Sequence, residues 1–170
     1  MKKYVFRKYN IIYKNFFKVE KRKLLVNLNK DIIIEHIGST AIPDLGGKNI
    51  LDIVIGSKHS KLKGLKTQLE KLGYEFRETA GTQKRLFFRK DYKYNTKFIR
   101  VHIHLVKFKS KDWKEMITFR DHLINNKTDR MKYIVIKKKA AKLANGNGDI
   151  YKKTKKKFID QITRKALRST

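Results

Sequence analysis

Two short apolar runs joined by a glycine-serine turn constrain this chain more than any other feature of its sequence. Residues 32–37 and 50–55 are rich in isoleucine and nearly continuous in apolar side chains, as strands buried on both faces are. The turn at residues 38–40, Gly-Ser-Thr, offers amides and hydroxyls that can cradle a phosphate. Asp52 on the second run is placed where a divalent metal could bind. This layout predicts a nucleotide site.

Helical periodicity is found on either side of these strands. Apolar residues recur at roughly helical spacing over residues 10–29, which predicts an amphipathic helix packed on the sheet. Ser60 is a good helix N-cap, and leucines follow it at spacings of three and four residues. Gly73 is placed to end this second helix.

Three further strands and three helices complete the pattern. Residues 74–78, 85–89 and 97–106 alternate or run apolar, and residues 91–96 are predicted to form a hairpin loop. Apolar residues at helical spacing then predict one helix from Trp113 to Ile124. They predict a second helix that ends at Asn145-Gly146, and a third from Tyr151 to Leu167.

The order of these elements predicts an α/β (α+β) fold with a mixed sheet flanked by helices. The chain has 170 residues, which suits a single domain over residues 1–170. We expect a core over about residues 10–107 and a basic helical region over about residues 110–168. No internal repeat or low-complexity linker interrupts this plan.

The charge of the chain favours an anionic partner. Lys and Arg number 44 against 15 Asp and Glu, so the formal net charge is +29. The excess is +9 over residues 1–30, +6 over residues 31–106 and +14 over residues 107–170. A field of this kind attracts RNA, nucleotides or other polyanions. The alternative is a lysine-rich codon bias that decorates solvated helix faces, but such a bias does not explain the shortage of acids.

Several classes of protein are excluded or disfavoured. The chain has no cysteine, which rules out disulfides and thiolate metal sites and is compatible with a reducing cytoplasm. No apolar run approaches the roughly 20 residues of a membrane span, so we expect no membrane partner and a cytoplasmic location. Phosphate-loop, nucleophile-elbow and zinc-helix motifs are missing, as are helix-turn-helix and RNA-recognition signatures.

The strand-turn-strand segment reads Ile34-Glu35-His36-Ile37-Gly38-Ser39-Thr40-Ala41-Ile42-Pro43, followed by Lys48 and Ile50-Leu51-Asp52-Ile53. In this segment the chain resembles the most specific signature of the GrpB (UPF0157) family, whose fold belongs to the nucleotidyltransferase superfamily. The resemblance continues through Arg85-Leu86-Phe87-Phe88, His102-Ile103-His104, Phe119-Arg120-Asp121, and Tyr151 with Lys155, Phe158 and Ile159. It covers nearly the whole chain and implies the nucleotidyltransferase fold, whereas the family's own reaction and substrate are poorly defined.

The resemblance implies roles for the turn and the second strand. In the superfamily a Gly-Ser turn holds nucleotide phosphates, and two carboxylates one residue apart bind the catalytic metal. Gly38 and Ser39 match that turn, with Thr40 beside them, and Asp52 matches the first carboxylate. Val54 occupies the second position on the same strand face, which weakens the case for the superfamily's standard reaction.

His102 and His104 are candidates to fill this gap. They lie two residues apart on one strand face, which we expect beside the strand of Asp52. A site of Asp52, His102 and His104 would hold a divalent metal such as magnesium, manganese or zinc, and its imidazoles favour a transition metal over magnesium. The alternatives are proton transfer, phosphate contact, or two structural histidines bonded to backbone carbonyls.

For several other side chains, the sequence leaves both a ligand-binding and a structural role open. Lys48 is placed to reach a phosphate, although a solvated loop lysine explains it nearly as well. Arg85 opens a strand near the expected cleft, and we expect it to grip a ligand and to neutralise developing charge. The remaining positions are expected to be mainly structural: Glu35, His36, Arg120, Asp121 and Tyr151. The alternatives are a third metal ligand at Glu35 or His36, and stacking of Tyr151 on a base.

Two functions follow as hypotheses. The first is a metal-dependent transferase that moves a nucleotidyl or related phosphoryl group from a nucleoside triphosphate to an unknown acceptor. In it Gly38, Ser39 and Lys48 hold the phosphates, while Asp52 and His104, with His102, hold the metal. The second is a binding module without turnover, in which the pocket binds nucleotide and the basic helices bind RNA. A purely structural protein is the third alternative.

Overall fold

A five-stranded sheet with helices on both faces is the centre of the computed structural model, which describes residues 5–28, 31–58, 62–94 and 97–168. Its helices are α1 Ile12–Asn27, α2 Lys63–Lys71, α3 Lys111–Asn125, α4 Lys127–Ala144 and α5 Gly148–Arg168. Its strands are β1 Ile32–Ile37, β2 Ile50–Ser57, β3 Glu75–Phe76, β4 Arg85–Tyr94 and β5 Lys97–Lys107. Single turns of 3-10 helix lie at Ser39–Ala41 and Glu78–Ala80.

The strands are ordered β1-β2-β5-β4-β3 across the sheet. β2 and β5 run parallel, and the other neighbouring pairs are antiparallel. The expected mixed sheet flanked by helices is therefore confirmed. Because β5 is inserted between β2 and β4, the two strands that carry the candidate histidines and Asp52 lie side by side.

One face of the sheet is covered by α1 and α2. Strand residues alternate between faces, and Leu51, Ile53 and Ile55 on β2 point to this side. They form one apolar cluster with the matching β5 residues and with Leu24 of α1 and Leu69 of α2. These helices form because their apolar residues recur at helical spacing, as expected from the sequence.

The opposite face is covered by the three C-terminal helices. Trp113 of α3 packs on Val54, Ile37 and Val106 and closes one half of this face. Leu123, Tyr133 and Ile162, from α3, α4 and α5, form a separate cluster with two residues of the loop before β2. A cleft over Asp52 lies beside this second cluster, whose Ile42, Leu45 and Tyr133 line it.

Two strand boundaries differ from the prediction. β4 continues to Tyr94, through the first four residues of the predicted hairpin loop at residues 91–96. Arg100 donates two hydrogen bonds of 2.8 Å to the Asp91 carboxylate across the strands, so polar residues support the ladder where a loop was expected. β3 is only two residues long, whereas the pattern predicted residues 74–78.

The helix ends mostly follow the sequence signals. Gly73 with φ +80° follows α2, and Asn145 in the left-handed region with Gly146 after it ends α4. The predicted N-cap Ser60 lies outside the described residues. Among the described residues, no helix is both long and apolar enough to cross a membrane.

A buried carboxylate that sequence reasoning missed attaches α1 to the sheet. Glu20 accepts hydrogen bonds from the hydroxyls of Tyr74 and Tyr92, the latter at 2.7 Å. Lys23 donates to the Tyr92 hydroxyl at 2.8 Å. Each polar group is thereby satisfied inside an otherwise apolar interface.

Candidate functional site

The cleft lies between the sheet and helices α3 to α5, and its volume is about 340 Å³. That volume is at the lower end of the range for small-molecule sites. Residues from the turn after β1, from strands β2, β4 and β5 and from all three C-terminal helices line it. The basic helical region predicted from the sequence therefore forms one wall of the site.

Gly38 brings the turn against the floor of the cleft. Its φ of +70° and ψ of −169° belong to a region that essentially only glycine occupies. A Cβ atom on Gly38 would collide with the Asp52 carboxylate. The Ser39 hydroxyl and the Lys137 ammonium both lie against the Gly47 backbone, since a Cβ atom on Gly47 would come within 2.5 Å of the first and 2.6 Å of the second.

The parallel pairing of β2 and β5 brings the predicted acid and histidines together. Asp52 is directly opposite His102, and Val54 is opposite His104. His102 Nδ1 lies 3.2 Å from Asp52 Oδ1. The Phe87 ring meets both imidazoles edge-on, with centroid distances of 4.8 and 5.1 Å. The expected neighbourhood of these three residues is therefore present in the cleft.

Burial and the nearby positive charges shift the pKa of Asp52 in opposite directions. Burial alone would raise the pKa of Asp52, but the His102 hydrogen bond and the nearby positive groups hold it below its usual value. The pKa of His104 falls to about 4 because burial disfavours the charged ring, so His104 is neutral at pH 7. Its Nδ1 is buried and has no hydrogen-bond partner among the described residues.

Four lysines line the cleft, and Asp52 is the one carboxylate among its described lining residues. The lysines are Lys48 in the loop before β2, Lys137 on α4, and Lys152 and Lys155 on α5. Burial lowers the pKa of Lys137 to about 7 and that of Lys155 to about 8, and the positive charge of a neighbouring lysine adds to each shift. This excess of positive groups suits an anionic ligand.

Lys137 was missed by sequence reasoning. Its side chain is buried, and its ammonium donates a 2.5 Å hydrogen bond to the Gly46 carbonyl. A signal was present, because Tyr133, Lys137, Ala140 and Ala144 recur at helical spacing and are all buried on one side of α4. A lysine at a core position of such a stripe marks an unusual site.

Tyr151 belongs both to the core and to the cleft. Its ring is buried beside Ala140 and Ala144, as the core interpretation expected. The ammonium of Lys155 lies 4.1 Å from its centroid and that of Lys48 lies 5.0 Å away. The ring thereby positions two of the cleft's cations through cation-π interactions.

Two predicted site residues, Thr40 and Arg85, are not among the described residues that line the cleft. The Thr40 hydroxyl donates to the Ile50 carbonyl at 3.0 Å and contacts His36 Nε2, so it serves the local structure. Arg85 forms an ion pair of 3.8 Å with Asp112 at the beginning of α3. Arg85 shares a strand face with Phe87 but precedes it by two residues, at the beginning of β4, where α3 covers the sheet.

The residues expected to be structural have that role. Arg120 donates a 2.7 Å hydrogen bond to Glu35 and another to Asp121, and it also donates to the backbone carbonyl of His36. The His36 ring stacks on Phe17, and burial lowers its pKa to about 4. These interactions fix β1 between α1 and α3.

The donor set of the cleft does not fit a catalytic divalent ion. No group of three or more His, Asp or Glu side chains suited to a metal ion occurs within the described ranges. Val54 is fully buried under Trp113 where a second carboxylate would stand. The lysine ammonium groups around Asp52 would also repel a cation.

Sequence comparison with known proteins finds a matching family model and several relatives. The family model described as GrpB protein matches residues 4–165. A UPF0157 protein of Pseudomonas aeruginosa is 34% identical over 140 residues, which cover 81% of this chain and 56% of the relative. The glutamate-rich protein GrpB of Alkalihalophilus pseudofirmus is 31% identical over 156 residues and is covered to 88%, as is this chain.

A solved structure has the same architecture over almost its full length. The crystal structure of the conserved protein GrpB from Enterococcus faecalis aligns with a TM-score of 0.82 and 27% identity. The alignment covers 97% of this chain and 98% of that one. Family model, sequence relatives and structure agree, and this chain belongs to the GrpB family.

Proposed function

We propose that the cleft binds a nucleoside triphosphate through its phosphates and that the bound nucleotide is the donor in a group-transfer reaction. The observation that carries this proposal is the set of lysines around a single carboxylate, beside a glycine-serine turn. Ammonium groups in a partly closed site attract phosphate oxygens strongly because little water screens them.

The lining residues divide the cleft into a charged part and an apolar part. Lys48 and Lys155 supply positive charge near Asp52, and a bound phosphate would favour the charged form of Lys137. Ile42, Phe119 and Tyr133 line an apolar wall that suits a flat ring. A nucleotide combines these two chemistries in one molecule, which favours it over inorganic phosphate alone.

A metal-dependent transferase, as in the wider superfamily, is the competing form of this proposal. The Gly38-Ser39 turn and Asp52 support it because they match the superfamily's phosphate turn and first carboxylate. In that form magnesium, manganese or zinc would bind Asp52, His102 and His104. Binding measured with and without metal separates the two forms.

The test is calorimetric titration of ATP and GTP into the full chain, once with excess chelator and once with manganese. We expect binding in chelator that weakens at least tenfold in Lys155→Gln. Lys139→Gln, on the exposed side of α4, is the matched control and should bind like the parent protein. Asp52→Ala removes the one negative charge and should not weaken metal-free binding.

Two outcomes contradict the proposal in different ways. If neither nucleotide binds under any condition, the cleft is not a nucleotide site. If binding requires both manganese and Asp52, the metal-dependent form replaces the metal-free one.

The basic helices support RNA binding as a second candidate function. Acids of the C-terminal helices are engaged in ion pairs, such as Asp160 with Lys156 at 2.6 Å and Asp121 with Arg120 at 2.7 Å. Lys153 and Lys157 are exposed one turn apart on α5. If they contact RNA phosphates, the plot of log binding constant against log salt concentration should become less steep in the double variant Lys153→Gln/Lys157→Gln. The slope should change by about one unit per lysine. Affinity that does not change with salt would contradict this role.

A further inference from the structure

The Asp52 carboxylate orients the His102 ring at the floor of the cleft. Asp52 Oδ1 and His102 Nδ1 are 3.2 Å apart, across neighbouring parallel strands. An ionised carboxylate accepts a hydrogen bond from an N–H group, so it favours the tautomer with its proton on Nδ1. The lone pair then resides on Nε2. His102 lines the cleft, so this nitrogen is the one available to a ligand.

His104 offers a useful comparison on the same strand face. Its Nδ1 has no hydrogen-bond partner among the described residues, so no carboxylate fixes its tautomer. In the pairing of β2 with β5, His104 is opposite Val54, whereas His102 is opposite Asp52. Of the two imidazoles in the cleft, His102 therefore has the arrangement of an activated side chain.

We propose that Nε2 of His102 is a nucleophile that accepts the nucleotidyl group of a nucleoside triphosphate as a covalent intermediate. This inference rests on the proposed function, because the cleft must first bind the nucleotide. The reaction needs one oriented imidazole and several cations, and it makes no use of a second carboxylate at position 54.

The chemical step balances with the groups present. The Nε2 lone pair attacks the α-phosphorus, and the Nε2–P bond forms as the bond to the bridging oxygen of the β-phosphate breaks. Pyrophosphate leaves with that electron pair, and its charge is matched by lysine ammonium groups such as those of Lys48 and Lys155. The proton stays on Nδ1, where Asp52 stabilises the positive ring. A hydroxyl acceptor then attacks the phosphorus, loses its proton to solvent, and the N–P bond returns its electrons to Nε2.

The test uses the full chain, excess chelator, and ATP radiolabelled at either the α- or the γ-phosphate. A phosphorus–nitrogen bond on histidine is labile to acid and stable to alkali, so protein is recovered under alkaline denaturing conditions. We expect label from the α-phosphate and none from the γ-phosphate, approaching one group per chain, with His102 identified by peptide mass spectrometry. His102→Gln should lose the label to background while it still binds ATP in calorimetry.

His122→Gln provides a histidine control outside the cleft and should be labelled like the parent protein. ATP binding without any covalent label overturns this inference and leaves the proposed function standing. Label that persists in His102→Gln, maps to another residue, or comes from the γ-phosphate also overturns it. No ATP binding to the parent protein overturns both. If His102→Gln does not fold by circular dichroism, the mapped position of label in the parent protein decides.

Discussion

Gly38 is the residue at which backbone conformation and site geometry depend most directly on each other. Its φ and ψ angles exclude other residues, and its backbone lies so close to Asp52 that an added Cβ atom would overlap that side chain. Gly38→Ala should therefore lower the free energy of unfolding by about 1–3 kcal/mol through backbone strain, with displacement of Asp52 in addition. Urea unfolding followed by circular dichroism measures this change.

Gly64 provides the matched control for that substitution. It lies within α2, and an added Cβ atom would have nothing within 4 Å. Gly64→Ala should raise the free energy of unfolding by about 0.5–1 kcal/mol, because alanine loses less entropy in a helix. If Gly38→Ala and Gly64→Ala change the free energy of unfolding equally, an alanine at position 38 is not strained.

Lys137 gives the protein a defined pH dependence. Burial lowers its pKa to about 7, whereas an unfolded lysine has a pKa of 10.5. Between these values the unfolded state binds the proton and the folded state does not, so stability rises with pH. Relative to Lys137→Met, the free energy of unfolding of the parent protein should increase by on the order of 3–5 kcal/mol from below pH 7 to above pH 10.

Urea unfolding of both proteins at several pH values across this window measures the difference. Other groups titrate in both proteins, so the comparison isolates Lys137. A constant difference between the two proteins across the window would contradict a buried lysine with a lowered pKa.

At the scale of elements, Asp129 joins the three C-terminal helices. Its carboxylate, at the beginning of α4, lies 2.7 Å from His122 Nε2 on α3 and 3.0 Å from the Lys165 ammonium on α5. Asp129→Ala should cost about 1–3 kcal/mol because two partners lose a buried acceptor. The exposed pair of Asp160 with Lys156 is the control, and Asp160→Ala should cost at most about 0.5 kcal/mol.

The Asp129 carboxylate also predicts how the stability of the protein changes at acidic pH. The His122 hydrogen bond, followed by the interactions with Lys165, holds the pKa of Asp129 below its usual value. A carboxyl with a lowered folded pKa stabilises the protein above its unfolded pKa and loses that contribution as pH falls through the folded value. The stability difference between the parent protein and Asp129→Ala should therefore shrink below about pH 4, the unfolded value. A difference that persists into strong acid would contradict this assignment.

At the scale of the whole molecule, the net charge of +29 opposes compaction. Salt screens repulsion between exposed lysines, so the thermal unfolding midpoint should rise as sodium chloride increases from low to physiological ionic strength. Differential scanning calorimetry measures the midpoint. A midpoint that falls over this range would show that attractive ion pairs outweigh the repulsion.

The sequence predicted most of the fold and part of the site, for identifiable reasons. The runs around Ile34 and Ile53 indicate buried strands because few other structures accept so many β-branched residues. The pairing of Asp52 with His102 follows from period-two alternation once β2 and β5 are neighbours. The ion pair of Arg85 with Asp112 could not be predicted, because periodicity gives the face of a strand but not how far along it a helix covers the sheet. Lys137 escaped notice because a lysine within a helix normally faces water.

The completion of the cleft by α5 has a consequence for the timing of synthesis. β5 must enter the middle of the sheet before Asp52 meets His102, and Lys155 arrives almost fifty residues after that strand. A chain emerging from the ribosome can therefore bury much of its α1 and α2 face before it has any complete pocket. The complete set of cleft lysines exists only when nearly all of the described chain has been translated. If the cleft binds a nucleotide as proposed, chains that stop before α5 should not bind it.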